Sequence, residues 1–201
     1  MNEQEVGVGP HPQPWPDDPR YDRELLARGD RRNVEDGYRY WTVAAIKADM
    51  AARSTGLYVA IENWQHDMNI GTIVRSANAF NVAAVHIIGR RHWNRRGAMV
   101  TDRYLEIVHH PTVAEFVAAM GDRHIIAIDN QPGAVPLSQA DLPERAVLVF
   151  GGEGPGLSAE MIAASERMIM IEQFGSTRSV NVGVAAGIVM YAWVQKYRLT
   201  K

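Results

Sequence analysis

Three stretches of the chain set polar side chains at the start of apolar runs, where helix ends leave backbone N–H groups open to a ligand. In the first, Asn69-Ile70-Gly71-Thr72-Ile73-Val74-Arg75-Ser76-Ala77-Asn78-Ala79-Phe80, Asn69 opens a helical pattern and Arg75 follows among Ile, Val, Ala and Phe. An arginine in such company is either a salt-bridged or surface side chain or a functional cation. In the second, Glu153 sits inside Gly151-Gly152-Glu153-Gly154-Pro155-Gly156, where it either stabilises a turn or works on a ligand. In the third, Ser179 and Asn181 precede Val182, Val184, Ala185, Ala186, Ile188, Val189 and Met190, a run long enough for a buried helix. Ser and Asn there can cap the helix, and a helix start can also receive a negatively charged or lone-pair-bearing group.

The glycine loop invites comparison with a dinucleotide fingerprint, which needs Gly-x-Gly-x-x-Gly after the first strand, a long helix and an acidic residue about 20 positions on. Pro155 interrupts these glycines, the following helix is short and the loop comes late in the domain. A nicotinamide site is therefore a poor reading.

The elements that must hold these loops follow from hydrophobic patterning. Strands are expected at Leu57 to Glu62, Val82 to Ile88, His124 to Ile128, Ala146 to Phe150 and Met168 to Ile171. Helices are expected at Ile70 to Phe80, Thr112 to Met120, Ser158 to Ser165 and Asn181 to Tyr197, Thr112 and Glu115 forming a Thr-x-x-Glu capping pair. The continuous apolar runs at 124–128 and 146–150 suit strands covered on both faces. Strands alternating with helices imply an α/β domain with a mostly parallel sheet flanked by helices. Ligands of such sheets bind beyond the C-terminal strand ends, which singles out Asn63 to Asn69, Asp129 to Gly133, Gly151 to Leu157 and Glu172 to Arg178.

The rest of the chain bounds the setting. Its 201 residues, 46% hydrophobic, suffice for one substantial core with an appendage. Five prolines crowd the first twenty residues, so 1–20 is expected to be a disordered tail. Residues 21–56 form a basic and aromatic N-terminal arm, helical over Asp36 to Ala52, that either packs on the core or contacts RNA; 57–201 is the main domain. With no cysteine there is no disulfide and no thiolate-bound zinc, and His109-His110 reads as structural or polar surface, so no metal is expected. A net charge of −2 argues against holding polyanions by bulk charge. Arg90, Arg91, Arg95 and Arg96, with Trp93 among them, make a local basic segment that is either a solvated loop or an RNA contact. No apolar run approaches the about 20 residues of a membrane span, so a soluble, cytoplasmic protein without a membrane partner is expected.

Taken together, Asn-x-Gly-x-x-x-Arg-x-Ala-x-Ala-Phe at 69–80, Phe-Gly-Gly-Glu-Gly-x-Gly-Leu-Ser at 150–158 and Ser-Val-Asn-Val-x-Val-Ala-Ala-Gly-Ile at 179–188 resemble the three motifs of the TrmH (SpoU) family, RNA ribose 2′-O-methyltransferases of the SPOUT superfamily. The resemblance spans roughly Leu57 to Tyr197 and implies a C-terminal trefoil knot, which periodicity does not indicate, S-adenosyl-L-methionine as cofactor, and a homodimer with the site at its interface. It implies a catalytic set of Arg75, Asn69, Glu153, Ser179 and Asn181, with Arg75 acting on the ribose 2′-hydroxyl as base or as electrostatic stabiliser. It likewise implies that Ile128, Asp129, Gly151, Gly152, Ile171, Phe174, Ser179 and Val180 bind the cofactor. Val180 stands where the family commonly has Leu, Gly183 where it has Ser, and Glu172-Gln173-Phe174 replaces Pro-Met-x. The expected substrate is tRNA, with rRNA, or an RNA-binding role without catalysis, as the alternatives. A sulfonium is already an activated methyl donor, so the resemblance calls for no metal.

Overall fold

The computed structural model describes residues 7–64, 69–152 and 156–199. The chain divides into two compact units at Arg53, considered separately.

In the first unit, α1 (Arg23–Arg28) starts at Asp22, whose carboxylate accepts from the N–H groups of Glu24 and Leu25. α2 (Val43–Ala52) starts at Thr42, whose hydroxyl accepts from Ala45 N. The single helix expected over Asp36 to Ala52 is broken: a 3-10 turn covers Asp36–Tyr38, and Tyr40 has φ 63°, a left-handed conformation that no α-helix continues through. Tyr40 takes that conformation with its N–H donating to Asp30 Oδ2 at 2.9 Å. Residues 7–20, expected to be structureless, run against α1 instead. Val8 and Asp30 exchange backbone hydrogen bonds of 2.9 Å, and His11 N donates to Leu26 O at 2.9 Å. Prolines bring no N–H, so it is the other residues of the segment that supply the donors.

The second unit is the α/β domain. Among its described residues the strands are β1 (Tyr58–Asn63), β2 (Ala84–Gly89), β3 (Ile107–His110), β4 (His124–Ile128), β5 (Val135–Pro136), β6 (Ala146–Phe150) and β7 (Arg167–Met170). They lie in the order β3-β2-β1-β6-β4-β7-β5, and every neighbouring pair is parallel. The helices are α3 (Ile70–Ala79), α4 (Val113–Met120), α5 (Ala159–Ala164) and α6 (Val182–Val194). All five residues of β6 are buried, as a central parallel strand covered on both faces requires. On one face, Phe116 and Met120 of α4 and Met161 of α5 pack with Ile88, Ala127, Val147 and Val149.

Two departures from the sequence expectations bear on function. β3 was not foreseen, because its histidines mask a short strand; His110 is buried and its Nε2 lies 2.8 Å from His86 Nδ1 in β2, the rings stacked. The apolar run after Asn181 was expected to be a buried helix, yet α6 buries only Gly183, Ala186, Val189, Met190 and Trp193. Val184, Ile188 and Tyr191, spaced along one helical stripe, remain exposed.

Candidate functional site

Because β1, β6, β4 and β7 are parallel and adjacent, the loops leaving them emerge side by side at one edge of the sheet. A cavity of about 400 Å³ opens there, within the size range of a small-molecule site. Ile128 and Asp129 from the end of β4, Phe150, Gly151 and Gly152 from β6, and Met170 and Ile171 from β7 line it, with Ser179, Val180 and Asn181 closing it from the approach to α6. Its walls are apolar at Ile128, Phe150, Ile171 and Val180 and polar at Asp129, Asn130, Ser179 and Asn181.

The glycine loop owes its path to close contacts. A Cβ on Gly151 would stand 2.2 Å from the carbonyl carbon of Gly156, and Gly156 has φ 68°, so both ends of the loop require glycine. Asp129 fixes the loop's return: its Oδ2 accepts from Leu157 N at 3.0 Å and from Gln131 Nε2 at 3.1 Å, while Oδ1 accepts from Asn130 N at 2.8 Å. Asn130 Nδ2 donates in turn to the carbonyl of Arg178, tying the loop after β4 to the one before α6. Behind the loop, fully buried Glu62 at the end of β1 accepts from Ser158 N and Ser158 Oγ, each at 2.7 Å. Ser158 is the N-cap of α5. Two carboxylates thus hold the segment that follows the glycines.

Asn181 joins the first and third motif stretches. Its Oδ1 accepts from Gly183 N at 3.0 Å and Val184 N at 3.3 Å, capping α6. Its Nδ2 donates to Asn69 Oδ1 at 3.0 Å. Capping fixes the amide so that its other end faces Asn69. Asn69 heads α3 without a side-chain bond to that helix, and Arg75, further along α3, is exposed. α3 is seated by close packing at both sides of its first turn. A Cβ on Gly71 would lie 2.9 Å from Gly97 Cα, and one on Gly183 would lie 3.0 Å from Thr72 Cγ2.

The structure brings Ile128, Asp129, Gly151, Gly152, Ile171, Ser179, Val180 and Asn181 to one cavity, with Asn69 hydrogen-bonded at its edge. Phe174 does not line that cavity; its side chain is 97% exposed. Phe174 thus stands apart from the other residues expected to bind the cofactor. Glu153 lies outside the described residues. Arg90, Arg91, Arg95 and Arg96 are exposed, and Arg95 Nη1 is 3.4 Å from Asp102 Oδ2. Sequence reasoning did not single out Asn130, Gln173 or Glu62. Asn130 and Gln173 lie in loops that leave strands, which was the available signal, whereas nothing local marks Glu62 as a loop anchor. Gln173 Oε1 is buried without a hydrogen-bond partner among the described residues, an acceptor in the cavity wall left for a donor. Among the described residues no group of three His, Asp or Glu could hold a metal ion, and no helix is long and apolar enough to cross a membrane.

The parallel sheet, the glycine-lined cavity at its carboxyl edge and the Asn69–Asn181 pair define an α/β ligand-binding domain with its motif loops drawn together. Residues 56–191 match the model of the SpoU rRNA Methylase family, and the chain belongs to that family. It is 26% identical over 147 residues to a tRNA (guanosine(18)-2′-O)-methyltransferase of Escherichia coli, the match covering 71% of this chain and 64% of that protein. The chain therefore spans less than two thirds of that relative's length. Its fold is similar to that of a TrmH/SpoU tRNA modifying enzyme of A. aeolicus, with a TM-score of 0.68 at 23% identity, over 79% of this chain and 83% of that one. It is also similar to the SpoU methyltransferase AviRb of Streptomyces viridochromogenes, solved in complex with AdoMet, with a TM-score of 0.64 at 23% identity, over 77% of this chain and 65% of that one.

Proposed function

We propose that the protein is an S-adenosyl-L-methionine-dependent RNA ribose 2′-O-methyltransferase acting on tRNA. The observation that carries the reading is the hydrogen bond from Asn181 to Asn69 at the rim of a cavity floored by Gly151 and Gly152. The residues present suit the cofactor. Ile128, Phe150, Ile171 and Val180 offer apolar walls for a purine, close backbone approach is open at the glycines, and Gln173 Oε1, without a hydrogen-bond partner among the described residues, is an acceptor in the cavity wall. When bound, S-adenosyl-L-methionine supplies an activated methyl group.

The chain's own part is to hold a ribose hydroxyl and support its loss of a proton. A ribose hydroxyl is a weak nucleophile, so orientation and charge stabilisation are what the protein must add. Asn69 and Asn181, locked to one another, orient polar groups at the rim. Arg75, exposed on the helix that Asn69 heads, presents a positive charge to the developing alkoxide. Glu153 and Ser179 complete the set. Arg90, Arg91, Arg95 and Arg96 meet phosphates, and residues 21–56 are a second RNA-contacting arm. The exposed stripe Val184, Ile188 and Tyr191 of α6 is the apolar surface on which a second copy of the chain docks, giving a homodimer, with Phe174 beneath the partner. We further assign a trefoil knot to the C-terminal part of the domain.

Arg75→Ala tests the reading. Transfer of radiolabelled methyl to total RNA should fall at least about 100-fold, while calorimetric affinity for S-adenosyl-L-methionine stays within about twofold, since Arg75 does not line the cavity. A fully active variant would remove Arg75 from the mechanism; a wild-type protein that binds no S-adenosyl-L-methionine would remove the function.

A further inference from the structure

β1 ends in Glu62 and Asn63, Trp64 follows directly, and the three side chains build a platform beside the cavity loops. Glu62 is fully buried and accepts the indole N–H of Trp64 at 3.0 Å. The opposite edge of the indole rests on Gly89, whose φ of 97° and lack of a side chain make the room; a Cβ there would fall 2.6 Å from Trp64 Cε3. Held at both edges of its ring, Trp64 is nevertheless 38% exposed. A large aromatic fixed in place yet left open to water is poised for a flat partner.

Its surroundings identify the partner's chemistry. Asn63 Nδ2 donates to the carbonyls of Arg90 at 2.7 Å and His92 at 3.0 Å, and Arg90 N donates to Asn63 O at 2.9 Å. The start of the arginine segment is thereby pinned to the residue next to Trp64. Further along, the Arg95 guanidinium lies 5.6 Å from the Trp93 ring centre. An immobilised aromatic ring bordered by exposed arginines is the arrangement that takes a nucleobase on its face and the flanking phosphates on its rim.

We infer that Trp64 is a stacking platform for one base of the RNA, five residues ahead of Asn69 on the chain, with Arg90 and Arg91 contacting the adjoining phosphates. This rests on the function proposed above. Base stacking is sequence-tolerant and releases no counterions, so its loss lowers affinity without changing the salt dependence.

The test uses the full chain with transcribed tRNA and a short single-stranded oligoribonucleotide as probes. Trp64→Leu keeps an apolar cover on Gly89 but has no π face; Trp64→Phe keeps a smaller π face and loses the N–H. Trp64→Leu should weaken RNA binding by about 5- to 150-fold at an unchanged slope of log affinity against log salt. It should raise the KM for RNA more than it lowers kcat. Trp64→Phe should recover most of the affinity, and RNA should quench less tryptophan fluorescence in Trp64→Phe than in the wild type. Arg91→Gln should reduce the salt slope by about one. Affinity for S-adenosyl-L-methionine and melting temperature report whether either tryptophan variant has disturbed the fold. Trp64→Leu binding RNA as tightly as the wild type, or Trp64→Phe losing as much as Trp64→Leu, overturns the platform alone. A wild-type chain that binds S-adenosyl-L-methionine but neither RNA probe overturns the RNA reading and the platform with it.

Discussion

The two units of this chain reach order by different chemistry. In the second, apolar strands lie side by side in a parallel sheet whose central members are largely buried, β6 throughout. In the first, Leu26, Ile46 and Met50 are the buried apolar side chains among the described residues, and a fully buried carboxylate organises the segment. Asp30 accepts from Arg32 Nε at 2.9 Å, Arg32 Nη2 at 2.6 Å, Arg32 N at 3.0 Å and Tyr40 N at 2.9 Å. Burial pushes its carboxyl up, but these donors outweigh it and hold the group down at about 2. Aromatic edges complete the unit, Tyr38 and Tyr21 each meeting Trp41 and Arg20 lying 4.4 Å from the Trp41 ring centre. The sheet unit is specified by a pattern spread over many residues, the other by a few particular pairings.

The sharpest way to break this contrast is at Asp30. Asp30→Ala removes the buried carboxylate to which Arg32 and Tyr40 donate and should cost the first unit about 3–5 kcal/mol. Hydrogen exchange should show lost protection at the amides of residues 8–42 while those of β1, β6 and β4 keep theirs. Equal loss in both would mean that the units do not differ in what sustains them.

Acid should separate them next. Burial, with the neighbouring charges of His110 and Arg123, lowers His86 from 6.5 to about 4, and burial also lowers His110. Tyr58 and Phe116 pack on the His86 ring, Arg123 lies over Tyr58, and Glu115 and His109 are the charged or titratable groups acting on His110. The unfolded chain takes up the His86 proton near 6.5 and the folded one only near 4. His86's contribution to the stability of the sheet unit is therefore complete above pH 6.5 and declines from there to about pH 4, by up to roughly 3 kcal/mol. Asp30 behaves as a depressed carboxylate: its contribution is complete above about pH 3.8 and lost as pH falls to about 2. Amide protection followed from pH 7 downward should weaken in the sheet first, and His86→Phe should flatten that limb while leaving the Asp30 limb in place.

This division also explains what could be read in advance. The strand-helix alternation from β1 to α6 was legible because burial on both faces writes itself into continuous apolar runs, and the loops of the site followed from where those strands end. β3 was missed since two of its four residues are histidines, whose place in the core depends on each other across the sheet. α6 was legible as a helix but not as a half-exposed one, because an apolar stripe carries no mark of whether its cover is this chain. Asn69, Ser179 and Asn181 were legible by type and motif; Glu62 and Asp129 as loop anchors were not, for their partners are backbone N–H groups, which every residue but proline has. In the first unit the Asp36 to Ala52 pattern looked helical throughout, and what breaks it is Tyr40 reaching for Asp30, a contact with no local signature.

The smallest effect offers the cleanest comparison, because the same cap occurs in both units. Thr42 accepts from Ala45 N at 3.1 Å at the head of α2, and Thr112 accepts from Glu115 N at 3.2 Å at the head of α4. Replacing either by Ala removes one acceptor for an otherwise open helix N–H and should cost about 1 kcal/mol locally. The consequence should differ. α4 is also fixed by Val113, Phe116 and Met120, all buried, so Thr112→Ala should fray its first turn without affecting the sheet. α2 buries only Ile46 and Met50, so the same loss is a larger share of what holds it. Exchange rates across the whole of α2 should rise in Thr42→Ala, whereas in Thr112→Ala the rise should stop within the first turn of α4. A whole-helix response in α4, or a first-turn response in α2, would show that apolar anchoring is not what distinguishes the two units.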